Sequence, residues 1–278
     1  MKFTKMHGLG NDFIFIENPD NRDLNYSGLA VAWCHRQLGI GADGIVIVLP
    51  SEVADLRMRI INADGSEANM CGNAIRCFAR YAYERGLVKS KSFKIETFAG
   101  IMIPEVITNS GGVVAVRVNM GKPNLERQFI PMLGNEKEAI QEPIQIDNQE
   151  FCVTSLLMGV PHTMVFVPEV KAVELEKYGR AIEKHALFPK GTNVNFVEVI
   201  SRERIKIRTW ERGAGATLAC GTGSCASAVA SALNNYTGRR VAVELQFGKL
   251  EIEWTEDGTV FMIGPATESF SGEIAENL

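Results

Sequence analysis

The sequence has no apolar run longer than a strand. Stretches such as Ile45–Leu49 fall far short of the ~20 residues a membrane helix needs, so no membrane partner is expected. It has no basic run and no interleaving of basic with aromatic residues, and its formal net charge is −4. Nucleic acid is therefore not an expected partner. The opening Met1-Lys2-Phe3-Thr4-Lys5 lacks the apolar core and cleavage site of a secretory signal, which makes the cytoplasm the expected location. There is no Walker loop and no cradle suited to a cofactor phosphate. The six cysteines, Cys34, Cys71, Cys77, Cys152, Cys220 and Cys225, lack the short knuckle spacing of a structural zinc site. A chain of 278 residues in a reducing compartment has little use for a disulfide scaffold. Neither a metal nor a cofactor is expected.

What is present is the balance of an ordinary globular protein, 46% apolar and 22% charged, and an internal repeat. Residues 149 further on from Met58-Arg59-Ile60-Ile61-Asn62 read Ile207-Arg208-Thr209-Trp210-Glu211, and both runs have the pattern of strands. At the same offset Cys71-Gly72-Asn73 meets Cys220-Gly221-Thr222, Gly44–Val48 meets Asn193–Val197, and Phe98 meets Phe247. Near the start the best offset is 150, with Asp12-Phe13-Ile14-Phe15 on His162-Thr163-Met164-Val165. Each half is expected to hold several short strands and one prominent helix. The first helix reads Ala74 to Arg85, with Ile75, Phe78, Ala79 and Ala82 on one face and Gly86 as a stop. The second reads Gly223 to Leu233 and is rich in Ala and Ser, slim enough to be wrapped closely by strands. Many strands and few helices predict an α+β fold. The expected halves are 1–120, carrying Cys71, and 121–264, carrying Cys220, with the tail 265–278 returning to the first.

Cys34, Cys77, Cys152 and Cys225 read as small buried hydrophobes. Cys71 and Cys220 differ, because each precedes a glycine at a predicted helix start. A helix N-terminus offers unpaired N–H groups and the positive end of the dipole, which stabilise a thiolate and attract carboxylates. One such turn could be packing alone. Two at equivalent positions, if the halves face each other, would bring a thiolate and a thiol to opposite sides of one α-carbon. One would remove the proton and the other would return a proton to the opposite face, which inverts the centre. The acid so made is very weak, so fixed dipoles must hold the charge that develops on the substrate carboxylate.

Three segments carry a resemblance: Met6-His7-Gly8-Leu9-Gly10-Asn11-Asp12-Phe13; Asn62-Ala63-Asp64-Gly65-Ser66-Glu67 on to Cys71-Gly72-Asn73; and Glu211-Arg212-Gly213-Ala214-Gly215 on to Ala219-Cys220-Gly221-Thr222-Gly223. Together they resemble the diaminopimelate epimerases over nearly the whole chain. The resemblance implies two pseudo-symmetric domains, each a mostly antiparallel sheet curled around a central helix. It implies a small amino-acid substrate, LL-2,6-diaminopimelate, converted to the meso form without cofactor on the bacterial route to lysine and cell wall. Cys71 and Cys220 would be the acid/base pair. Gly72, Asn73, Gly221 and Thr222 would donate to the reacting carboxylate. Asn11, Asn62, Asn193 and Arg212 would hold the substrate, with Arg212 suited to the distal carboxylate. His162 and Glu211 would lie near the thiols and poise them. A homodimer is the expected assembly, although oligomeric state is not legible in the residues themselves.

Two positions depart from the family pattern: Gly44, where some members have Gln, and Val160, where many have Asn. Each removes a polar contact and opens the side-chain specificity. Rival readings are a two-cysteine racemase of another amino acid such as histidine, for which Arg212 would have little use, a thiol redox sensor, and a non-catalytic amino-acid binding protein.

Overall fold

A computed structural model describes residues 1–22, 24–147 and 149–274. The chain forms two compact units. One is Met1–Asn119 together with the chain from Ile263, and the other is Met120–Met262. Residues 275–278 of the predicted returning tail lie outside the described residues.

The first unit opens with β1 (Lys2–Gly8), β2 (Asn11–Glu17), α1 (Tyr26–Trp33), β3 (Gly44–Leu49), β4 (Leu56–Asn62) and β5 (Glu67–Ala68). It continues with α2 (Gly72–Glu84), β6 (Ile95–Thr97), β7 (Gly100–Met102), β8 (Glu105–Asn109) and β9 (Gly112–Asn119). The second unit contains β10 (Ala139–Ile146), β11 (Gln149–Met158), β12 (Val160–Phe166), α3 (Leu175–Glu183), β13 (Asn193–Ser201), β14 (Arg204–Glu211) and β15 (Gly215–Thr217). After these come α4 (Gly221–Leu233), β16 (Arg240–Leu245), β17 (Gly248–Trp254) and β18 (Val260–Gly264). The last strand, β19 (Thr267–Glu273), pairs with β1 in the first unit.

The sheet of the first unit runs β19-β1-β2-β3-β4-β6-β7, with β5 on β4. The second runs β10-β11-β12-β13-β14-β16-β17-β18, with β15 on β14. Pairing is antiparallel except at β2–β3 and β4–β6 in one unit and at β12–β13 and β14–β16 in the other. The two parallel joints fall at matching places, as a duplicated α+β unit requires.

Strand register defines the repeat residue by residue. Ile45 pairs with Ile61 and Val194 with Trp210; Ile60 pairs with Ala68 and Thr209 with Thr217. Every one of these is an offset of 149. Phe13 pairs with Gly44, and His162 with Asn193. His162 therefore matches Phe13, not Asp12, and the offset of 150 expected for this strand is corrected to 149. Side chains alternate in a strand, so a one-residue error would have put the wrong face in the core. The match of Phe98 with Phe247 also fails: the turns closed by Thr97–Gly100 and Leu245–Gly248 set the offset there at 148.

The central helices run α2 Gly72–Glu84 and α4 Gly221–Leu233, each beginning immediately after its cysteine, two residues before the expected starts at Ala74 and Gly223. In α4 every residue from Gly223 to Ser231 is buried, because strands β11–β14, β16 and β17 all pack on it. Alanine and serine allow that approach. The buried Ser224 and Ser231 hydroxyls donate to the carbonyls of Cys220 and Ser227 one turn back, so they need no external partner. Asn235, at φ 58°, ends the helix. Both sheets also carry an apolar core against a shorter helix. Ile14, Ile16, Ile45, Ile47 and Trp33 form one, and Val165, Val194, Phe196 and Ile182 the other.

Candidate active site

Cys71 and Cys220 are the N-cap residues of α2 and α4, each with extended backbone. This follows from the sequence: a Cys-Gly step ends a strand-like approach and the chain turns directly into helix. An N-cap side chain can reach the first-turn N–H groups; that of Cys220 accepts from Gly223, and that of Cys71 makes no such bond. Cys34 and Cys77 are buried, and burial pushes both thiols up to about 12. Cys225 is also buried, as expected, but Cys152 is exposed on β11 and is not a core residue. Its neighbours Phe151 and Val153 supply the inward face there.

In the first unit the structure brings Cys71, Gly72, Asn73 and Asn11 together. The Cys71 thiol donates to Asn11 Oδ1 over 3.6 Å, and Asn73 Nδ2 donates to the same oxygen over 3.0 Å. The fully buried Arg76 donates through Nη2 to Asn73 Oδ1 (2.9 Å), through Nη1 to Gly72 O (3.1 Å) and through Nε to Pro265 O (3.1 Å). On its other side Asn11 donates through Nδ2 to Asp43 Oδ2 (2.7 Å). Asp43 also accepts from the Asp12 backbone N–H and pairs with Arg36. Burial alone would raise the Asp12 carboxyl, but hydrogen bonds from Arg36 and Lys5 outweigh it and hold the group below the ordinary carboxylate value. Asn62 has a different setting: its amide donates to Ser66 Oγ across the β4–β5 turn. Asn73 and Asn11 were legible from motif context, whereas Arg76, Asp43 and Arg36 carried no signal that separated them from surface and helix charges.

In the second unit Cys220 is buried and caps its own helix: Sγ accepts from the Gly223 N–H at 3.3 Å and lies 3.5 Å from Thr222 Oγ1. Asn193 is buried and its Oδ1 accepts the Arg212 N–H at 2.8 Å, which pins the backbone of Arg212. The exposed Arg212 guanidinium donates to Lys190 O at 2.8 Å. Glu211 accepts from Thr217 Oγ1 at 2.6 Å. His162 is fully buried, and its Nδ1 lies 3.2 Å from Asn195 Nδ2. Asn195 Oδ1 accepts from Thr209. The direction of the Asn195–His162 hydrogen bond follows the imidazole tautomer. Burial, then the charge of Arg212, lowers the His162 pKa to about 3.

The matched offsets pair the site residues across the repeat: Cys71 with Cys220, Gly72 with Gly221, Asn73 with Thr222, Asn62 with Glu211, Gly44 with Asn193, and Asn11 with Val160. Val160 is an exposed residue at the start of β12.

This architecture, in which each unit repeats a sheet with one central helix, is shared with solved structures. The chain superimposes with a TM-score of 0.72 on a PhzF-family phenazine biosynthesis protein of Bacillus anthracis, at 16% identity over 99% of both chains. It matches a probable proline racemase of Agrobacterium radiobacter K84 with a TM-score of 0.70, at 17% identity over 99% of this chain and 93% of that one. Within that fold, residues 3–126 and 154–268 match the family model of diaminopimelate epimerase. The diaminopimelate epimerase of Pelotomaculum thermopropionicum is 53% identical over 279 aligned residues, 98% of either chain. That of Methanococcus maripaludis is 47% identical, over 99% of either chain. The chain belongs to the diaminopimelate epimerase family and is an isomerase.

Proposed function

We propose that this enzyme interconverts LL- and meso-diaminopimelate, in the formation of lysine and of peptidoglycan precursors, with Cys71 and Cys220 as its two acid/base groups. The observation that carries the reading is the pair of cysteines at the N-cap positions of α2 and α4, at one offset in a duplicated unit. Inversion of an α-carbon needs one proton acceptor and one proton donor on opposite faces, and the chain supplies two chemically equivalent groups for it. The first-turn N–H groups of Gly72 and Asn73, and of Gly221 and Thr222, are suited to hold the reacting carboxylate while charge builds on it. Asn11, Asn62 and Asn193 are assigned to the substrate's polar groups. Arg212, braced on Asn193 and Lys190, is assigned to the distal carboxylate. His162 and Glu211 support the second thiol. The chemistry calls for no metal or cofactor. The same reading makes the enzyme a cytoplasmic homodimer, an assembly that light scattering would check.

The test is incubation of the reduced protein with LL-diaminopimelate in deuterated water. Meso product with deuterium at the inverted α-carbon is expected, and the absence of both would reject the assignment. Cys71→Ser and Cys220→Ser should each lose about 10²–10⁴-fold in kcat. Near-full epimerisation by either would exclude two-base catalysis.

A further inference from the structure

The two thiols do not have equivalent surroundings. Arg76 is a guanidinium and can only donate. It faces Asn73 Oδ1 at 2.9 Å, so Asn73 must turn its Nδ2 toward Asn11. A carboxylate can only accept, and Asp43 Oδ2 takes the Asn11 Nδ2–H at 2.7 Å. Both ends of the chain thus demand one orientation of the Asn11 amide: nitrogen to Asp43, oxygen to Asn73 and Cys71. The Cys71 sulfur therefore meets a carbonyl oxygen at 3.6 Å. That contact is favourable for S–H and repulsive for S⁻. Its side chain also caps no backbone N–H of α2.

In the second unit every member of this chain has been replaced. Asn11, Asp43, Asn73 and Arg76 correspond to Val160, Thr192, Thr222 and Cys225. Cys220 Sγ instead accepts the Gly223 N–H at 3.3 Å and has the Thr222 hydroxyl at 3.5 Å. The Gly223 N–H aimed at sulfur favours the thiolate, and the Thr222 hydroxyl is free to rotate and donate to it once it forms.

We infer that the substrate-free enzyme rests with Cys220 as thiolate and Cys71 as thiol, and that Asn11 enforces this, its carbonyl oxygen held on Cys71 by Arg76 through Asn73 at one end and by Asp43 at the other. The inference concerns the same two cysteines as the proposed epimerisation, but it is a statement about protonation and can be measured without turnover. In reaction terms, Cys220 is then the group ready to accept an α-proton when substrate enters. Cys71 is ready to give one.

The test is a thiolate absorbance titration in a Cys152→Ser background, which removes the exposed thiol. In Cys71→Ala the remaining Cys220 should ionise at least tenfold more readily than Cys71 does in Cys220→Ala; each single variant also removes coupling between the pair. Asn11→Ala, placed on Cys220→Ala, removes the carbonyl oxygen that faces the Cys71 sulfur. It should make Cys71 about tenfold more acidic. Asp43→Glu, which keeps an acceptor-only group, should leave it unchanged. A thiolate that disappears in Cys71→Ala and persists in Cys220→Ala would overturn the assignment. An unmoved Cys71 titration in folded Asn11→Ala would remove Asn11 from it. If Asn11→Ala does not fold, the single-cysteine titrations still decide which thiol is ionised. A protein that shows this asymmetry yet fails to epimerise would lose the proposed function and keep the inference.

Discussion

A methyl group on Gly223 would have nowhere to go. Its Cβ would stand 2.5 Å from Asn195 Oδ1 and 3.2 Å from Cys220 Sγ. Neither neighbour can yield cheaply. Asn195 is tied to Thr209 and His162 inside the sheet, and Cys220 accepts the N–H of Gly223 itself. This one position couples the sulfur of α4 to the amide that faces His162 Nδ1. Gly223→Ala should push the thiol or the amide aside by several tenths of an ångström. We expect kcat/KM to fall about 10²-fold, the scale on which misplaced catalytic groups lose rate. The circular dichroism spectrum should stay native, since alanine is the better helix former. Steady-state kinetics on the folded variant check this, and unchanged kcat/KM would show that Cys220 needs no such precision.

At the scale of elements, the periodic features were legible and the registers were not. The β4 and β14 strands, the two cysteine-led helices and their repetition could be read because alternation and helical spacing leave a mark on every turn. Helices α1 and α3 could not be placed. The first, Tyr26-Ser27-Gly28-Leu29-Ala30-Val31-Ala32-Trp33, is apolar nearly all round and carries no clean stripe. The one-residue errors at Phe13 and Phe98 arose because strands resemble strands and only hydrogen bonding distinguishes neighbouring registers. Asp43, Arg76 and Asn195 escaped for a related reason: their importance lies in which partner they face, and spacing does not record that. Gly44 shows the same limit. It reads as a lost polar contact, yet a Cβ there would meet the backbone oxygen of Ile61 at 2.7 Å, so the β3–β4 ladder as built excludes a side chain. The matching Asn193 occupies its place in β13 with a side chain that pins Arg212. Gly44→Ala should therefore cost about 1–3 kcal/mol, the usual penalty for forcing volume into a closed site. Urea unfolding measures it. A stability equal to wild type would mean the two strands separate freely, and the absent side chain would again be a matter of specificity.

For the molecule as a whole, the two units should differ in their tolerance of acid. His162 is fully buried in the second unit, and burial together with Arg212 depresses its pKa from 6.5 to about 3. The unfolded chain binds this proton first on acidification. The stability His162 confers as a neutral group is thus complete above pH ~6.5 and drains as pH falls toward ~3, at up to about 1.4 kcal/mol per pH unit. In the first unit the lowered carboxyls are Asp12, held by Arg36 and Lys5 against its burial, and the exposed Asp64, hydrogen-bonded to Ser66. Both have folded values below 3.8, so what they contribute is present above that value and is lost only beneath it. Between pH 6.5 and 4.5 the acid response should consequently appear in the second unit first. Hydrogen exchange corrected for its intrinsic pH dependence should accelerate in β12, β13 and β14 around His162 while β2, β3 and β4 remain protected. His162→Gln should flatten the pH dependence of unfolding across that window, whatever it does to stability at neutral pH. If both sheets open together, or if the variant keeps the wild-type slope, the buried imidazole is not the group that sets the acid limit.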